Sequence, residues 1–287
     1  MKDAICQICA GQVRAYRHDW VFRCTGCGVL SSSLEVAIPV QPSKAHINEV
    51  AREAGLAHLR RRNNEDLLGR LRAFGPPGNR LLDVGSGPGF LLAQAPNAGF
   101  EAQGIEPDPN VLEASRRYGT NVRQGFFPSI LEADEAFDVI VFNDVLEHLP
   151  DLRRTLEASA QHLSPRGILC LNCPDKGGFF FRVAAIADRL GLPGPYERLW
   201  QRGLPSPHVW YFTPALLNQA AATAGLTPIG SMRLETIELR GLWSRIRLDP
   251  SVSIVAALAA YAFCIGLSPL LKLLPSDARA CFYRKAA

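Results

Sequence analysis

Several features are scarce in this chain, and each scarcity removes a class of protein. No internal repeat and no low-complexity tract appears in the 287 residues, 47% of which are hydrophobic and 20% charged. Wholesale disorder, a collagen-like repeat and a coiled coil are therefore excluded. No apolar leader precedes the first cysteines: Met1-Lys2-Asp3 runs directly into a Cys pair. The expectation is a protein without a signal peptide, in a reducing cytoplasm, where paired cysteines more often hold metal than each other. The N-terminal region has no dense Lys/Arg run with interleaved aromatics, which disfavours nucleic acid as a partner despite Arg60-Arg61-Arg62. Charge is unevenly spread as well. Residues 1–175 carry 18 basic against 21 acidic side chains, and residues 176–287 carry 13 against 6. A basic second half suits an anionic substrate, nucleic acid or a lipid headgroup surface without choosing among them.

Eight cysteines are present, and four of them have a pattern. Cys6-Gln7-Ile8-Cys9 and Cys24-Thr25-Gly26-Cys27 form two C-x-x-C knuckles separated by fourteen residues. Two such knuckles supply the four thiolates of a tetrahedral structural Zn²⁺; an iron site or a ribbon that has lost its metal are the alternatives. A four-sulfur shell leaves no open position, so the expected role is structural. A lobe of about 30 residues cannot bury a stable core alone, so metal would supply most of its folding energy. Cys170 and Cys173 also read C-x-x-C, but they lie on an expected buried strand, where residues three apart face opposite sides. They are expected to pack, as are Cys264 and Cys281.

Beyond Gly75-Pro76-Pro77-Gly78 the chain alternates strand-like and helix-like stretches, the pattern of a parallel sheet covered by helices. Strands are expected at Arg80–Val84, Phe100–Ile105, Asn121–Gln124, Phe137–Phe142 and Gly167–Asn172, with a helix over Asp151–Leu163. After an insertion at 174–213, a helix is expected over Pro214–Ala224, with strands near Leu226–Leu239 and Ala280–Lys285. A polar helix is expected from about His46 to Phe74. The glycine-rich turn Gly85-Ser86-Gly87-Pro88-Gly89 follows the first of the sheet strands. Glycines there allow positive φ and close approach of a ligand to the main chain. About twenty residues on, the next strand ends in Glu106, where doubly wound folds place a ribose-binding acid.

LLDVGSGPGF, then GIEPDP, then FDVIVFNDVLEHLPD, then LSPRGILCLNCPD closely resembles the class I S-adenosylmethionine-dependent methyltransferases over residues 80–173. A looser likeness continues through PHVWYFTPALLNQAAATAGL. The resemblance implies an α/β, Rossmann-like seven-stranded sheet with helices on both faces and an antiparallel last strand, here with a small N-terminal zinc-ribbon lobe. It further implies S-adenosylmethionine as cofactor. Asp83 and the turn of Gly85, Ser86, Gly87 and Gly89 would line its methionine part, Glu106 would hold the ribose, and Asn143 would sit beside the sulfonium. Where many members place an acid near the adenine, this chain reads Gln124-Gly125-Phe126-Phe127, so Phe126 or Phe127 would stack instead. Related quinone O-methyltransferases carry a run similar to Asp144-Val145-Leu146-Glu147-His148. His148 is a candidate general base; Asp144, Glu147 and His148 are also candidate ligands of a divalent ion, or a cap for the loop. His208, in the insertion, ranks slightly ahead of His148 as base, with a structural histidine as its alternative.

Three segments are expected: a zinc-ribbon-like lobe at 1–40, a helical cap at 41–78, and the methyltransferase domain at 79–287 with insertions at 174–213 and 240–278. The expected activity is methyl transfer, O-methylation favoured, to a small-molecule, sugar or glycolipid, or quinone-type acceptor. The rivals are a ribosomal RNA methyltransferase and a non-catalytic cofactor-binding module. Pro250–Leu271 holds no charged residue. Peripheral contact with the inner face of the membrane and a soluble cap or dimer helix are its leading readings, ahead of a true span, and the first favours a lipid-linked acceptor.

Overall fold

The computed structural model describes residues 5–38, 49–109, 111–112, 115, 119–236, 238–239, 241–247, 253–270 and 273–287. Its strands are β1 (Val13–Tyr16), β2 (His18–Cys24), β3 (Leu30–Ser32), β4 (Arg80–Val84), β5 (Glu101–Glu106), β6 (Val122–Gln124), β7 (Phe137–Asn143), β8 (Leu163–Pro174), β9 (Trp210–Tyr211), β10 (Leu226–Leu234) and β11 (Ala278–Lys285). The helices are α1 (Glu49–Ala73), α2 (Phe90–Gln94), α3 (Leu152–His162), α4 (Phe179–Arg189), α5 (Gly194–Leu199), α6 (Pro214–Thr223), α7 (Leu242–Ile246) and α8 (Ile254–Leu267).

Seven strands form one sheet in the order β10-β11-β8-β7-β4-β5-β6. β4, β5, β6, β7 and β8 pair in parallel, and β11 inserts antiparallel between β8 and β10. The inner strands are apolar at consecutive positions because both faces are covered. Val139 and Val141 of β7 pack with Leu67, Leu68 and Leu71 of α1, while Ile140 and Phe142 face the cluster of α3 and α6. Cys170 and Cys173 fall in those two opposite clusters, as the period of two requires. Local signals set the helix starts: Asp151 caps α3 by accepting from Arg154 N, and Thr213 caps α6 by accepting from Leu216 N.

This topology decides where the insertions go. The ends of β4, β5, β7 and β8 lie at one edge of the sheet. Because Leu234 and Pro174 both pair with Ala278, the 174–213 and 235–277 segments emerge at that same carboxyl edge. Ligands of open α/β sheets bind along this edge.

A second sheet, β1-β2-β3-β9, borrows its last strand from the insertion. The cysteine lobe is thereby joined to distant chain. Trp20, Val21 and Leu30 of the lobe share a buried cluster with Phe181, Ala184, Tyr196, Trp200 and Tyr211.

The apolar C-terminal stretch is shorter as a helix than its charge-free length suggests. α8 covers 14 residues, about 21 Å, and among the described residues no helix is long and apolar enough to cross a membrane. Residues 250–252, 271 and 272 lie outside the described residues.

Candidate active site

The glycine turn leaves β4 with Gly85, Gly87 and Gly89 all at positive φ (67°, 54° and 86°), a backbone that L side chains rarely adopt. A Cβ at Gly85 would stand 2.7 Å from Val145, whereas one at Gly87 would meet nothing within 4 Å. Gly87 thus presents an open backbone face. Across from it, Glu106 ends β5 with its carboxylate tied to the turn: Gly87 N donates to Oε2 at 2.9 Å and Asp108 N to Oε1 at 3.0 Å. Burial raises the Glu106 carboxyl, against the lowering effect of these two amides. Asp83 lies beneath, 2% exposed with Oδ1 unpartnered. Burial, with Glu106 second, pushes its carboxyl up to about 8. Ser86 turns its hydroxyl against Gly104 of β5, so only its backbone faces the cleft. The donor set fits S-adenosylmethionine: an open glycine backbone, an acid at the ribose position and an unpartnered buried oxygen.

The two phenylalanines after β6 part company. Phe127 packs edge-on to Phe142 and His162, at 5.5 and 6.4 Å between ring centroids. Phe126 is 55% exposed. Asn143 ends β7 with two partners that sequence reasoning missed. Its Nδ2 donates to Asn64 Oδ1 of α1 (3.4 Å), and its Oδ1 accepts from Asn172 Nδ2 of β8 (2.8 Å). The Asn172 amide also donates to Asp144 Oδ1 at 3.0 Å, tying Asp144, at φ 57°, to the strand end. Asn172 did carry a signal, being the one amide in the apolar run Ile168–Cys173. Asn64 carried none.

The structure brings both candidate bases together. The His148 and His208 rings lie 4.9 Å apart. His208 is 6% exposed, and burial followed by His148 lowers its pKa to about 3. Both its nitrogens are committed: Nδ1 donates to Tyr211 Oη (3.2 Å), whose hydroxyl donates to Leu199 O, and Nε2 accepts from Gln201 Nε2 (2.9 Å). Burial favours the neutral form of this ring, whose hydrogen bonds tie Gln201 to Tyr211. His148 donates from Nδ1 to Pro207 O at 2.9 Å, which leaves Nε2 as the basic nitrogen. Nε2 lies 4.0 Å from Oε1 of Glu147, whose side chain is 1% exposed. Burial, with Asp144 second, holds the Glu147 carboxyl well above its usual range.

The cysteine lobe abuts this roof. Ligand atoms of Cys6, Cys9, Cys24 and Cys27 all lie within 4.8 Å of one another. The Cys6–Cys27 and Cys9–Cys24 sulfurs are 3.7 and 3.4 Å apart, close to the edge of about 3.8 Å that tetrahedral zinc–sulfur bonds imply. A Cβ at Gly11 would sit 3.2 Å from both Cys9 and Cys24, so the sulfurs need that glycine. Ser32 then stitches lobe to roof: its N donates to Val209 O (3.0 Å) and its hydroxyl to His208 O (2.8 Å). Val209 N continues to Glu147 O at 2.7 Å. Lys176 Nζ donates to Gly28 O at 2.5 Å, next to Cys27.

A family model described as a methyltransferase domain matches residues 56–230. The chain is 26% identical over 185 residues to the ubiquinone biosynthesis O-methyltransferase of Azorhizobium caulinodans, covering 61% of this chain and 69% of that protein. It is likewise 26% identical over 189 residues to the protein of the same name from Cereibacter sphaeroides, covering 63% and 73%. Among solved structures, the cyclopropane synthase MmaA2 of Mycobacterium tuberculosis superposes with a TM-score of 0.53 at 18% identity, covering 77% of this chain and 82% of that one. The plantazolicin methyltransferase BpumL, solved in complex with SAH, gives 0.54 at 12% identity, covering 86% and 91%. At such identities the structural likeness concerns the fold.

Proposed function

The chain belongs to the methyltransferase-domain family and is an S-adenosylmethionine-dependent methyltransferase; from that premise we propose that it methylates a hydroxyl oxygen of a small quinone-precursor-type acceptor. The observation that carries this reading is the division of one sheet edge. Gly87 and Glu106 form a backbone-and-acid cleft at the ends of β4 and β5, and His148 stands in the turn after β7, bonded to Pro207 of the insertion. When bound, S-adenosylmethionine supplies an electrophilic methyl on its sulfonium. Gly87 would admit its methionine part, with Gly85 and Gly89 packed on Val145 and Thr120 to shape the turn; Glu106 would accept from the ribose hydroxyls, and Phe126 would stack on the adenine. Asn143, held from both sides by Asn64 and Asn172, fixes the reacting end. His148, its ring oriented by the Pro207 carbonyl, would take the acceptor's hydroxyl proton at Nε2. Holding donor and acceptor in attack geometry supplies most of the acceleration. Cys6, Cys9, Cys24 and Cys27 hold a structural Zn²⁺ that fixes the roof through Ser32. The recurrence of O-methyltransferase in the names of the relatives favours oxygen as the methylated atom.

The test is mass-spectrometric detection of methyl transfer from S-adenosylmethionine to a panel of phenols, catechols, sugars and ribosomal RNA. Methylated catechol or phenol is expected, with turnover about 100-fold lower in His148→Gln and cofactor affinity unchanged. Methylation of sugar alone or RNA alone would replace the acceptor, and tight cofactor binding without any product would favour the non-catalytic reading.

A further inference from the structure

Two cations stand beside the second cysteine knuckle, and neither is paired with an acid. Lys176, half-buried just beyond the end of β8, donates from Nζ to Gly28 O at 2.5 Å. Gly28 directly follows Cys27 and turns the chain at φ 75°. Arg23 of β2 reaches the same glycine: a Cβ placed on Gly28 would stand 3.7 Å from Arg23 Nη2 and 3.8 Å from Nε. The Tyr16 ring supports that guanidinium, with Cζ 5.5 Å from the ring centroid. Among the described residues, no carboxylate forms an ion pair with Lys176 or Arg23. Asp175, next to Lys176 in the chain, gives its carboxylate to Arg279 Nε at 3.3 Å and Gly177 N at 2.7 Å.

Withdrawing an ammonium from water is costly unless an anion compensates it, and a backbone carbonyl is only a dipole. Burial first and Arg23 second weaken the hold of Lys176 on its proton, with Cys27 and then Asp175 acting against them. Four thiolates around one Zn²⁺ carry two net negative charges. Two otherwise unpaired cations at the knuckle match that charge in sign and number. Arg23 is exposed, so water and salt screen it and its share is the smaller.

We infer that Lys176, assisted by Arg23, is the charge partner of the zinc centre held by Cys6, Cys9, Cys24 and Cys27, and slows its loss of metal. The inference rests on the zinc assignment made above. Lys176 also carries the centre's influence to the carboxyl edge. Its backbone N donates to Phe212 O at 2.8 Å, and Asp175 forms a β-bridge with Phe212 directly after β9. One residue thereby joins the knuckle, the end of β8 and the strand that completes the lobe's sheet. Metal occupancy is coupled to the root of the 174–213 insertion by this route as well as through Ser32.

The test uses the full-length, zinc-loaded protein and an excess of the chelator 4-(2-pyridylazo)resorcinol, whose colour reports the rate of zinc release. Lys176→Met keeps the apolar stem and removes the charge; it is expected to release zinc about tenfold faster or more. Lys176→Arg should release it at close to the parent's rate, and Arg23→Gln should speed release less than Lys176→Met does. Lys176→Gln keeps a donor for Gly28 O but no charge, and it should behave as Lys176→Met. If the Gln variant instead holds zinc like the parent, a hydrogen bond suffices and the charge partner is overturned; an unchanged rate in Lys176→Met overturns it outright. Cobalt-substituted protein checks the shell itself. Parent and Lys176→Met should share the same ligand-field bands, and altered bands would trace faster release to a lost sulfur ligand and overturn the inference. A parent chain that neither holds nor takes up zinc would fail differently, removing the metal assignment on which the inference stands.

Discussion

The two halves of the carboxyl edge are built by opposite methods. The proposed cofactor half uses the glycine backbone, two acids, Phe126 and Asn143, all from one stretch between Asp83 and Asn143. The acceptor half uses side chains gathered from the cysteine lobe, the turn at Glu147-His148 and the 174–213 insertion. A main-chain cleft is set by glycine spacing and serves the same ligand in many proteins. A side-chain roof has to be assembled from parts that meet only on folding, and so it is where an acceptor preference is written. The difference predicts that damage to either half leaves the other working.

The largest expected separation comes from the metal. Cys6→Ser/Cys24→Ser should lose one zinc per chain by elemental analysis and nearly all acceptor turnover, because the lobe that carries β3 folds with its metal. Cofactor affinity should stay within about threefold, since the glycine turn is remote. Retained stoichiometric zinc would move the ligands elsewhere, and lost cofactor binding would mean that the halves are not separable. The converse variant is Gly87→Val, which places a β-branched residue at φ 54° and fills the open face. Calorimetry should show cofactor affinity about 100-fold lower or worse, with Glu106→Ala about tenfold lower; normal affinity in both would remove the cleft assignment.

A subtler difference is electrostatic. His208 has its folded pKa lowered to about 3 from an unfolded value near 6.5. Its contribution to stability is therefore present above pH 6.5 and lost as pH falls from there toward 3, where only the unfolded chain gains the proton. His208→Asn should flatten that part of the melting-temperature profile relative to the parent chain, and an unchanged slope would show that the ring is not held neutral. The smallest effect is that of Ser32→Ala. Removing its bond to His208 O should cost about 1 kcal/mol, a fall in Tm of about 2–4 °C, with cofactor affinity unaltered.

The same contrast explains what the sequence disclosed. Strands β4 to β8, β11, the glycine turn and Glu106 are local patterns, legible because periodicity and turn chemistry act over a few residues; the antiparallel placement of β11 came from the family resemblance alone. The four cysteines were legible by spacing. The contact of His208 with Ser32 was not, because it joins the 174–213 insertion to the cysteine lobe, two segments whose meeting no local pattern records. That is why the sequence left His208 open between a base and a structural histidine, and only the fold shows how deeply its ring is buried. Asn64 was hidden for the same reason: one amide in a polar helix gains meaning only from Asn143 opposite.

The borrowed strand β9 bears on how the chain is made. Leu30 and Ser31 pair with Tyr211 and Trp210, so the outer edge of β3 stays uncovered while some 180 residues are synthesised behind it. During that interval an early-folding hairpin carries an open strand edge, the kind of surface on which nascent chains associate wrongly. Closing it requires a contact of high sequence separation, and such contacts form slowly. The joint that later steadies the roof is thus a point of exposure during biosynthesis.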